Sequence, residues 1–178
     1  MSPESFRKAG FKVNLTNKWG VSLFIPQEKW VIKWGVSLFI LLGTITVPQM
    51  VWKECTSPGS SRPEIECILS ADWIKVVKIN DRIVTLLRHD IDHGEAEAIA
   101  LALERKASLI LLDDSDAREK ARLYHLSITG TVGLILRAYR EGLLISFTET
   151  LDELESSGFR LNAKLKENLL KEVGEIRK

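Results

Sequence analysis

One segment limits the fold more than any other, a long amphipathic helix followed at once by an apolar run. Apolar residues in Glu95–Lys106 recur at i, i+3, i+4 and i+7, which is the spacing of one buried helical stripe. Ser108–Leu112 then reads S-L-I-L-L, a pattern typical of a strand buried on both faces of a parallel sheet. The chain is therefore predicted to contain a parallel sheet covered by helices.

The same alternation continues on both sides of this segment and predicts an α/β domain, a central parallel sheet flanked by helices in three layers. Further strands are predicted at Thr44–Val47, Trp73–Val77 and Ser127–Thr129. Further helices are predicted at Gln49–Cys55, Pro63–Leu69, Asp81–Leu87, from Asp114 or Ser115 to Leu123, and at Thr131–Glu141. A capping-box spacing at Thr150–Glu153 and a cap at Asn162 predict a helical C-terminal extension.

This pattern divides the chain into an atypical N-terminal segment (1–43), the α/β domain (44–146) and the C-terminal extension (147–178). The first segment carries an exact repeat, because K-W-G-V-S-L-F-I occurs at 18–25 and again at 33–40. Two copies of eight residues are too short and too few for a repeat architecture. A local duplication, or an open reading frame assembled from damaged sequence, is the simpler interpretation.

Composition excludes several classes of protein. Hydrophobic residues make up 45% and charged residues 28%, so the chain can bury a core. The net charge of +1 excludes a polycationic nucleic-acid-binding tail, and any such site must be local.

Cys55 and Cys67 have no second pair to form a zinc site. We interpret both as small core residues and expect a reducing cytoplasm.

A membrane span is considered for Trp34–Trp52, which contains no charged residue and has tryptophan at both ends. Gly43, Thr44, Pro48 and Gln49 interrupt its apolar character. We therefore expect no membrane association, and a membrane-tethered protein is the least favoured hypothesis.

Acidic residues fall where parallel strands are expected to end. Asp113 follows the predicted strand directly, Asp116 lies nearby, Glu95 begins its helix and Glu54 lies near the end of the helix after Pro48. Ligands of open parallel sheets bind at this edge, and Mg²⁺ prefers carboxylate oxygens. The alternative is that acids at helix starts only stabilise the helix dipole.

Two other motifs do not carry a function. His93-x-Glu95 matches half of a zinc deaminase signature, but no Pro-Cys-x-x-Cys follows, so we expect His93 in a loop. Gly130-Thr-Val-Gly133 is neither a dinucleotide fingerprint nor a Walker A sequence, and a tight strand-to-helix turn is expected there.

Several phrases in order resemble an uncharacterised prokaryotic family of PIN-like predicted nucleic-acid-binding proteins. They are V-P-Q-M-V-W-K-E (47–54), H-G-E-A-E-A-I-A-L-A-L-E (93–104), A-S-L-I-L-L-D-D (107–114), I-T-G-T-V-G-L-I-L-R-A-Y-R-E-G-L-L (128–144) and the segment G-F-R-L that starts at Gly158. PIN domains are metal-dependent ribonucleases, best known as VapC-type toxins restrained by a small antitoxin. The resemblance therefore implies RNA as substrate, an antitoxin partner and a homodimer.

By resemblance, Glu54, Glu95 and Asp113 are the catalytic acids and hold Mg²⁺ or Mn²⁺ for hydrolysis of an RNA phosphodiester. Asp116 is a fourth metal-ligand candidate, and Glu97 is a substitute for Glu95. The family's first strand normally ends near an Asp about 26 residues before the Pro of the V-P motif. Counting back from Pro48 reaches the duplicated segment near Ser22, where only the amides of Asn14 and Asn17 are close.

Two hypotheses of different class follow. The first is a metal-dependent endoribonuclease of toxin-antitoxin type, either active or weakened by the missing first-strand Asp. The second is a catalytically inactive PIN-like remnant that acts only as a nucleic-acid or protein binding module.

Overall fold

A computed structural model of the chain describes residues 21–22, 42–56, 68–79, 81–156 and 158–175. The strands are β1 Val21–Ser22, β2 Ile45–Pro48, β3 Ile74–Val77, β4 Leu109–Leu111 and β5 Ile128–Thr129. The helices are α1 Gln49–Thr56, α2 Asp81–Leu87, α3 His93–Glu104, α4 Ser115–Leu123, α5 Thr131–Arg140, α6 Phe147–Ser156 and α7 Ala163–Val173. The strands pair in the order β3-β2-β1-β4-β5, and every pairing is parallel. The predicted α/β class is confirmed.

β4 is buried on both faces, as its apolar run predicts. Ile110 and Leu112 pack with α3 and its neighbours α2 and α4, whereas Leu111 packs on the opposite face with Leu134 and Ala138 of α5. Successive side chains of a strand point to opposite faces, so three consecutive apolar residues join two cores. This arrangement gives the three layers, with helices on both sides of the sheet.

The first strand lies at the centre of the sheet. Val21 of β1 is in register with Ile45 of β2 on one side and with Leu109 of β4 on the other. This position is the one reached by counting back from Pro48, in the first copy of the repeated octapeptide. Two residues of the segment 1–43 thus pair within the same sheet as the segment 44–146.

Two predicted helix starts are wrong, and local capping explains both. α3 begins at His93, not at Glu95, because Asp92 is the N-cap and its N–H donates to Glu95 Oε2 at 3.2 Å. His93 is therefore helical rather than part of a loop. α6 begins at Phe147, before the expected cap at Thr150, because Ser146 Oγ accepts a hydrogen bond from the Glu149 N–H.

The C-terminal helices pack against the domain through one apolar cluster. Phe147, Leu151 and Leu154 of α6 and Leu170 of α7 meet Ile135 of α5, and all five are buried. Asn162 caps α7 as predicted, by accepting from the Leu165 N–H at 3.1 Å. Gly174 ends the helix with φ of +80°, a conformation that favours glycine.

Some expectations concern residues outside the described ranges. Most of the predicted helix Pro63–Leu69 and residue Cys67 lie there, as does the second copy of the octapeptide. Cys55 is half-buried and forms no disulfide within the described ranges. Within the described ranges, no helix has the length and apolar character needed to cross a membrane.

Glu175 ties the end of the chain to the start of α6. Its carboxylate accepts hydrogen bonds from the N–H of Phe147 at 2.8 Å, from the N–H of Thr148 at 2.7 Å and from the Thr148 hydroxyl. Burial acts to raise the pKa of Glu175, but the hydrogen bonds from Thr148, Phe147 and the Tyr139 hydroxyl outweigh it and hold this pKa below its ordinary value. The carboxylate thus caps α6 from a distant part of the sequence.

We predict that Glu175→Gln lowers the free energy of unfolding by about 1–2 kcal/mol, because an amide replaces a charge-assisted cap. Urea denaturation at neutral pH measures the change. The matched control is Glu172→Gln, which removes an exposed ion pair with Arg140 and should cost less than about 1 kcal/mol. Equal losses in the two variants would contradict the capping role.

The pH dependence of this contribution follows from the lowered pKa of Glu175. A depressed folded-state pKa stabilises the protein above the unfolded value, and that stabilisation is lost as the pH falls through the folded value. The difference in unfolding free energy between wild type and Glu175→Gln should therefore shrink below about pH 4.5, the ordinary value for glutamate. A difference that stays constant at acid pH would refute this origin.

Candidate functional site

The carboxyl ends of the parallel strands place acidic side chains on one edge of the sheet. β1 lies between β2 and β4, so the strands that follow β1 are added first on one side of it and then on the other. In parallel sheets, such a change of direction forms a crevice at the carboxyl ends of the strands. α1, with Glu54 in its second half, follows β2. The loop containing Asp113 follows β4.

Glu54 lies against the first turn of α3. A Cβ added to Gly94 would come within 2.9 Å of Glu54 Oε2, 3.2 Å of Oε1 and 3.3 Å of Val51 Cγ2. These distances show that the absence of a side chain at Gly94 lets α1 approach closely. The approach brings Glu54 to the helix turn that carries Glu95.

Glu95 occupies the third position of α3, where it takes part in a helix cap. The Asp92 N–H donates to one of its oxygens, Oε2, as in a capping box. Its side chain is half-buried. Part of the carboxylate is therefore used locally, and its remaining acceptor capacity is available.

The pKa values of both carboxyl groups are raised. Loss of water on burial is the main cause for Glu54, reinforced by Asp92 and Glu97 and opposed by His93. Burial is also the main cause for Glu95, followed by the charges of Asp114 and Asp92, with Glu54 adding to the rise and the Asp92 N–H opposing it. Neighbouring carboxylates therefore add to the rise of both pKa values, and His93 offsets part of this rise for Glu54.

Glu97, the substitute for Glu95 suggested by resemblance, has other partners. Its Oε2 accepts a hydrogen bond from the Met50 N–H at 2.8 Å, and its Oε1 lies 3.5 Å from His93 Nε2. An acceptor for an N–H in the first turn of α1 satisfies a group that has no partner within the helix. Glu97 thus anchors α1 to α3.

Asp113 is held by the turn between β5 and α5. Its Oδ1 accepts from the Thr131 N–H at 2.9 Å, and its Oδ2 accepts from the Thr131 hydroxyl. A Cβ on Gly130 would lie 2.7 Å from Asp113 Oδ1, so glycine leaves the room that this contact needs. The predicted strand-to-helix turn at Gly130 is confirmed, and it orients Asp113.

Asp116 lies with Glu95 on an open pocket of about 350 Å³. The pocket lies between the turn after α2 and the first turns of α3 and α4. Basic and acidic side chains both line it: Arg88, His89, Asp90, Ile91, Asp92, Glu95, Asp114 and Asp116. The structure thus places Glu54 beside the helix turn that carries Glu95. Glu95 and Asp116 line the same pocket, and Asp113 is hydrogen-bonded to Thr131.

The described residues do not contain three His, Cys, Asp or Glu side chains already arranged to hold a metal ion. Mg²⁺, however, is commonly held by one or two protein carboxylates, with water and substrate phosphate completing its shell. Glu54 and Glu95 supply two carboxylates whose pKa values are raised in part by neighbouring carboxylates. Their oxygen chemistry fits a hard divalent cation.

Some contacts of this edge could not be predicted from the sequence. Asp114, one of the two predicted caps of α4, accepts from the N–H groups of Asp116 and Ala117, but the effect of its charge on Glu95 has no sequence signal. Asp92 could have been found, because Asp92-x-x-Glu95 has the spacing of a capping box. The contact between Thr131 and Asp113 joins residues 18 apart, and no local pattern signals it.

The comparison with protein families gives one match. The family model DUF3368, described as a PIN domain, matches residues 36–175. Neither the curated proteins nor the solved structures include a significant match. The matched range contains Glu54, Glu95, Asp113 and Asp116, and it begins after β1.

We predict that Thr131→Val destabilises the protein by about 1–2 kcal/mol, because Asp113 loses the hydroxyl donor while the volume stays the same. Urea denaturation measures this loss. Thr129→Val is the matched control, since the Thr129 hydroxyl makes only a 3.4 Å contact with the Gly130 carbonyl oxygen. A loss in the control as large as that in Thr131→Val would contradict the assigned role.

Proposed function

We propose that this chain, which belongs to the DUF3368 family of PIN domains, is a divalent-cation-dependent ribonuclease in which Glu54, Glu95 and Asp113 act on RNA. The observation that carries the proposal is the contact of Glu54 with Gly94 in the first turn of α3. It brings two acids from different helices together at the carboxyl edge of a parallel sheet. The position suits a ligand of an open α/β fold.

The proposal gives separate tasks to the acidic residues. Glu54 and Glu95 would hold Mg²⁺ or Mn²⁺, and Asp113 and Asp116 would complete the acidic edge. A bound divalent cation supplies charge that polarises a phosphodiester and favours its hydrolysis. Thr131 fixes the orientation of Asp113, and a carboxylate retains acceptor capacity after two such hydrogen bonds.

We also propose the biological setting that the resemblance implies, a toxin restrained by a small antitoxin protein, with RNA as substrate and a second copy of the chain as partner. This part of the proposal depends on the likeness of the sequence motifs to toxin relatives. A monomeric protein in light scattering, in the presence of the product of a neighbouring small gene, would refute both protein partners.

A second candidate function is a catalytically inactive remnant that only binds nucleic acid or protein. Two observations favour it. The central strand β1 ends at Ser22, where the family is expected to supply an acid. Within the described part of the chain, no set of three acids, histidines or cysteines is arranged for a metal ion. The two candidates differ in one measurable property, turnover.

We predict that purified protein with Mn²⁺ cleaves single-stranded RNA and that Glu54→Gln, Glu95→Gln and Asp113→Asn each reduce the rate by about a hundredfold or more. EDTA should abolish cleavage. Glu104→Gln is the matched control on α3, because Glu104 is exposed and, within the described part of the chain, its carboxylate pairs with Arg105 alone, at 3.8 Å. Gel electrophoresis of labelled RNA measures the rates.

Equal cleavage by wild type and Asp113→Asn would identify a contaminant and refute the ribonuclease. Absence of cleavage by wild type would leave the inactive remnant as the function.

Titration calorimetry with Mn²⁺ provides a readout independent of activity, and the double variant Glu54→Gln/Glu95→Gln should lose binding while Glu104→Gln retains it. Unchanged binding in the double variant would remove these residues as ligands.

A further inference from the structure

Arg118 is a cation at the carboxyl edge that no step of the proposed function uses. It lies in the second turn of α4, where its N–H donates to the carbonyl oxygen of Asp114 at 3.1 Å. A Cβ added to Gly130 would lie 3.0 Å from Arg118 Nη1 and 2.7 Å from Asp113 Oδ1. The guanidinium and the carboxylate therefore lie on the same glycine turn after β5.

Arg118 has no side-chain hydrogen bond or ion pair with any residue in the described ranges. Several other cations of the surface are paired. Arg137 lies 2.9 Å from Glu141, and Lys120 is paired with Asp90. Asp113, the acid beside Arg118, accepts its hydrogen bonds from Thr131. The five N–H donors of this guanidinium are thus available for a ligand.

The burial of Arg118 makes the lack of a partner informative. Its side chain is half-buried, whereas Arg122, one turn further along α4, is exposed. Removing part of the water around a charge costs free energy unless a hydrogen-bonded partner replaces that water. A ligand with oxygen acceptors would supply such a partner. The planar fork of arginine matches the geometry of a phosphate, which it can bind through two parallel hydrogen bonds.

The surroundings of Arg118 define the class of ligand. Asp113, Asp114 and Asp116 form a strongly negative loop at the start of α4. A free polyanion is repelled by this loop, so a cation beside it is needed to hold a phosphate near the acids. Arg118 is the arginine that the Gly130 turn presents at this place.

We propose that Arg118 is a substrate-positioning residue that binds a backbone phosphate of single-stranded RNA beside the acidic edge. The proposal rests on the ribonuclease function proposed above and names the contact that holds its substrate. The competing explanation is structural: the guanidinium only balances the charge of Asp113 within the folded protein.

The test measures binding of a fluorescein-labelled single-stranded RNA by anisotropy at several salt concentrations, with EDTA present to keep the RNA intact. Each phosphate contact to single-stranded nucleic acid contributes about −0.7 to the slope of log K against log salt. Arg118→Gln should reduce the slope by about 0.7 and weaken binding about tenfold or more. A merely structural role would leave this slope unchanged.

Arg122→Gln is the charge-matched control, and it should change neither the slope nor the affinity beyond about twofold. Arg118→Lys keeps the charge but not the fork, so the slope should remain while the affinity falls. If circular dichroism shows that Arg118→Gln does not fold, Arg118→Lys replaces it in the test. Arg122→Lys is then the control. A smaller loss of affinity in Arg118→Lys than in Arg118→Gln supports the phosphate contact.

Identical slopes and affinities for Arg118→Gln and Arg122→Gln would overturn the inference and leave the ribonuclease intact. Wild-type protein that binds RNA with the expected arginine dependence but never cleaves it would refute the ribonuclease and support the contact. Wild-type protein without salt-dependent RNA binding would overturn both.

Discussion

The close approach of α1 to the first turn of α3, which glycine at position 94 permits, is the constraint on which the candidate site depends. Glu54 packs on Gly94, and Glu95 follows in the same helix turn, so two carboxylates from separate helices lie beside the start of α3. Such proximity costs free energy unless a cation or a proton compensates it. The hydrogen bond from the Met50 N–H to Glu97 holds α1 on α3, and the hydrogen bond from the Asp92 N–H to Glu95 belongs to the cap of α3 itself.

The strands and helices could be predicted because apolar periodicity records their burial. Ile110, Leu111 and Leu112 show the clearest case, since an unbroken apolar run is needed only where both faces of a strand are covered. Helix starts were harder. Thr150 and Glu153 have a capping-box spacing, but burial of Phe147 extends α6 one turn earlier, and Ser146 caps it instead. Local patterns are overridden where tertiary packing decides.

The candidate site could be predicted only in part. Position along the chain located Glu54, Glu95 and Asp113 near the ends of elements, because a strand end can be inferred from its apolar run. The orientation of a carboxylate depends on partners that are distant in sequence. Hydrogen bonds from Thr131 orient the Asp113 carboxylate, and the missing side chain at Gly94 leaves space for Glu54. Neither contact has a sequence signature. The position of Arg118 could not be predicted, because the sequence pattern of a single arginine on a helix is the same as that of any solvated charge.

The central place of β1 has a consequence for the repeated octapeptide. Both copies contain the same Val-Ser pair, so the side chains alone do not determine which copy forms the central strand. Geometry can choose, since a connection between parallel strands needs about a dozen residues or more to cross over. From Ser22 the chain has residues 23–44 for the crossover to Ile45, whereas from Ser37 it would have only 38–44. The length of chain before Ile45 is therefore sufficient for a crossover from the first copy, which supplies the central strand.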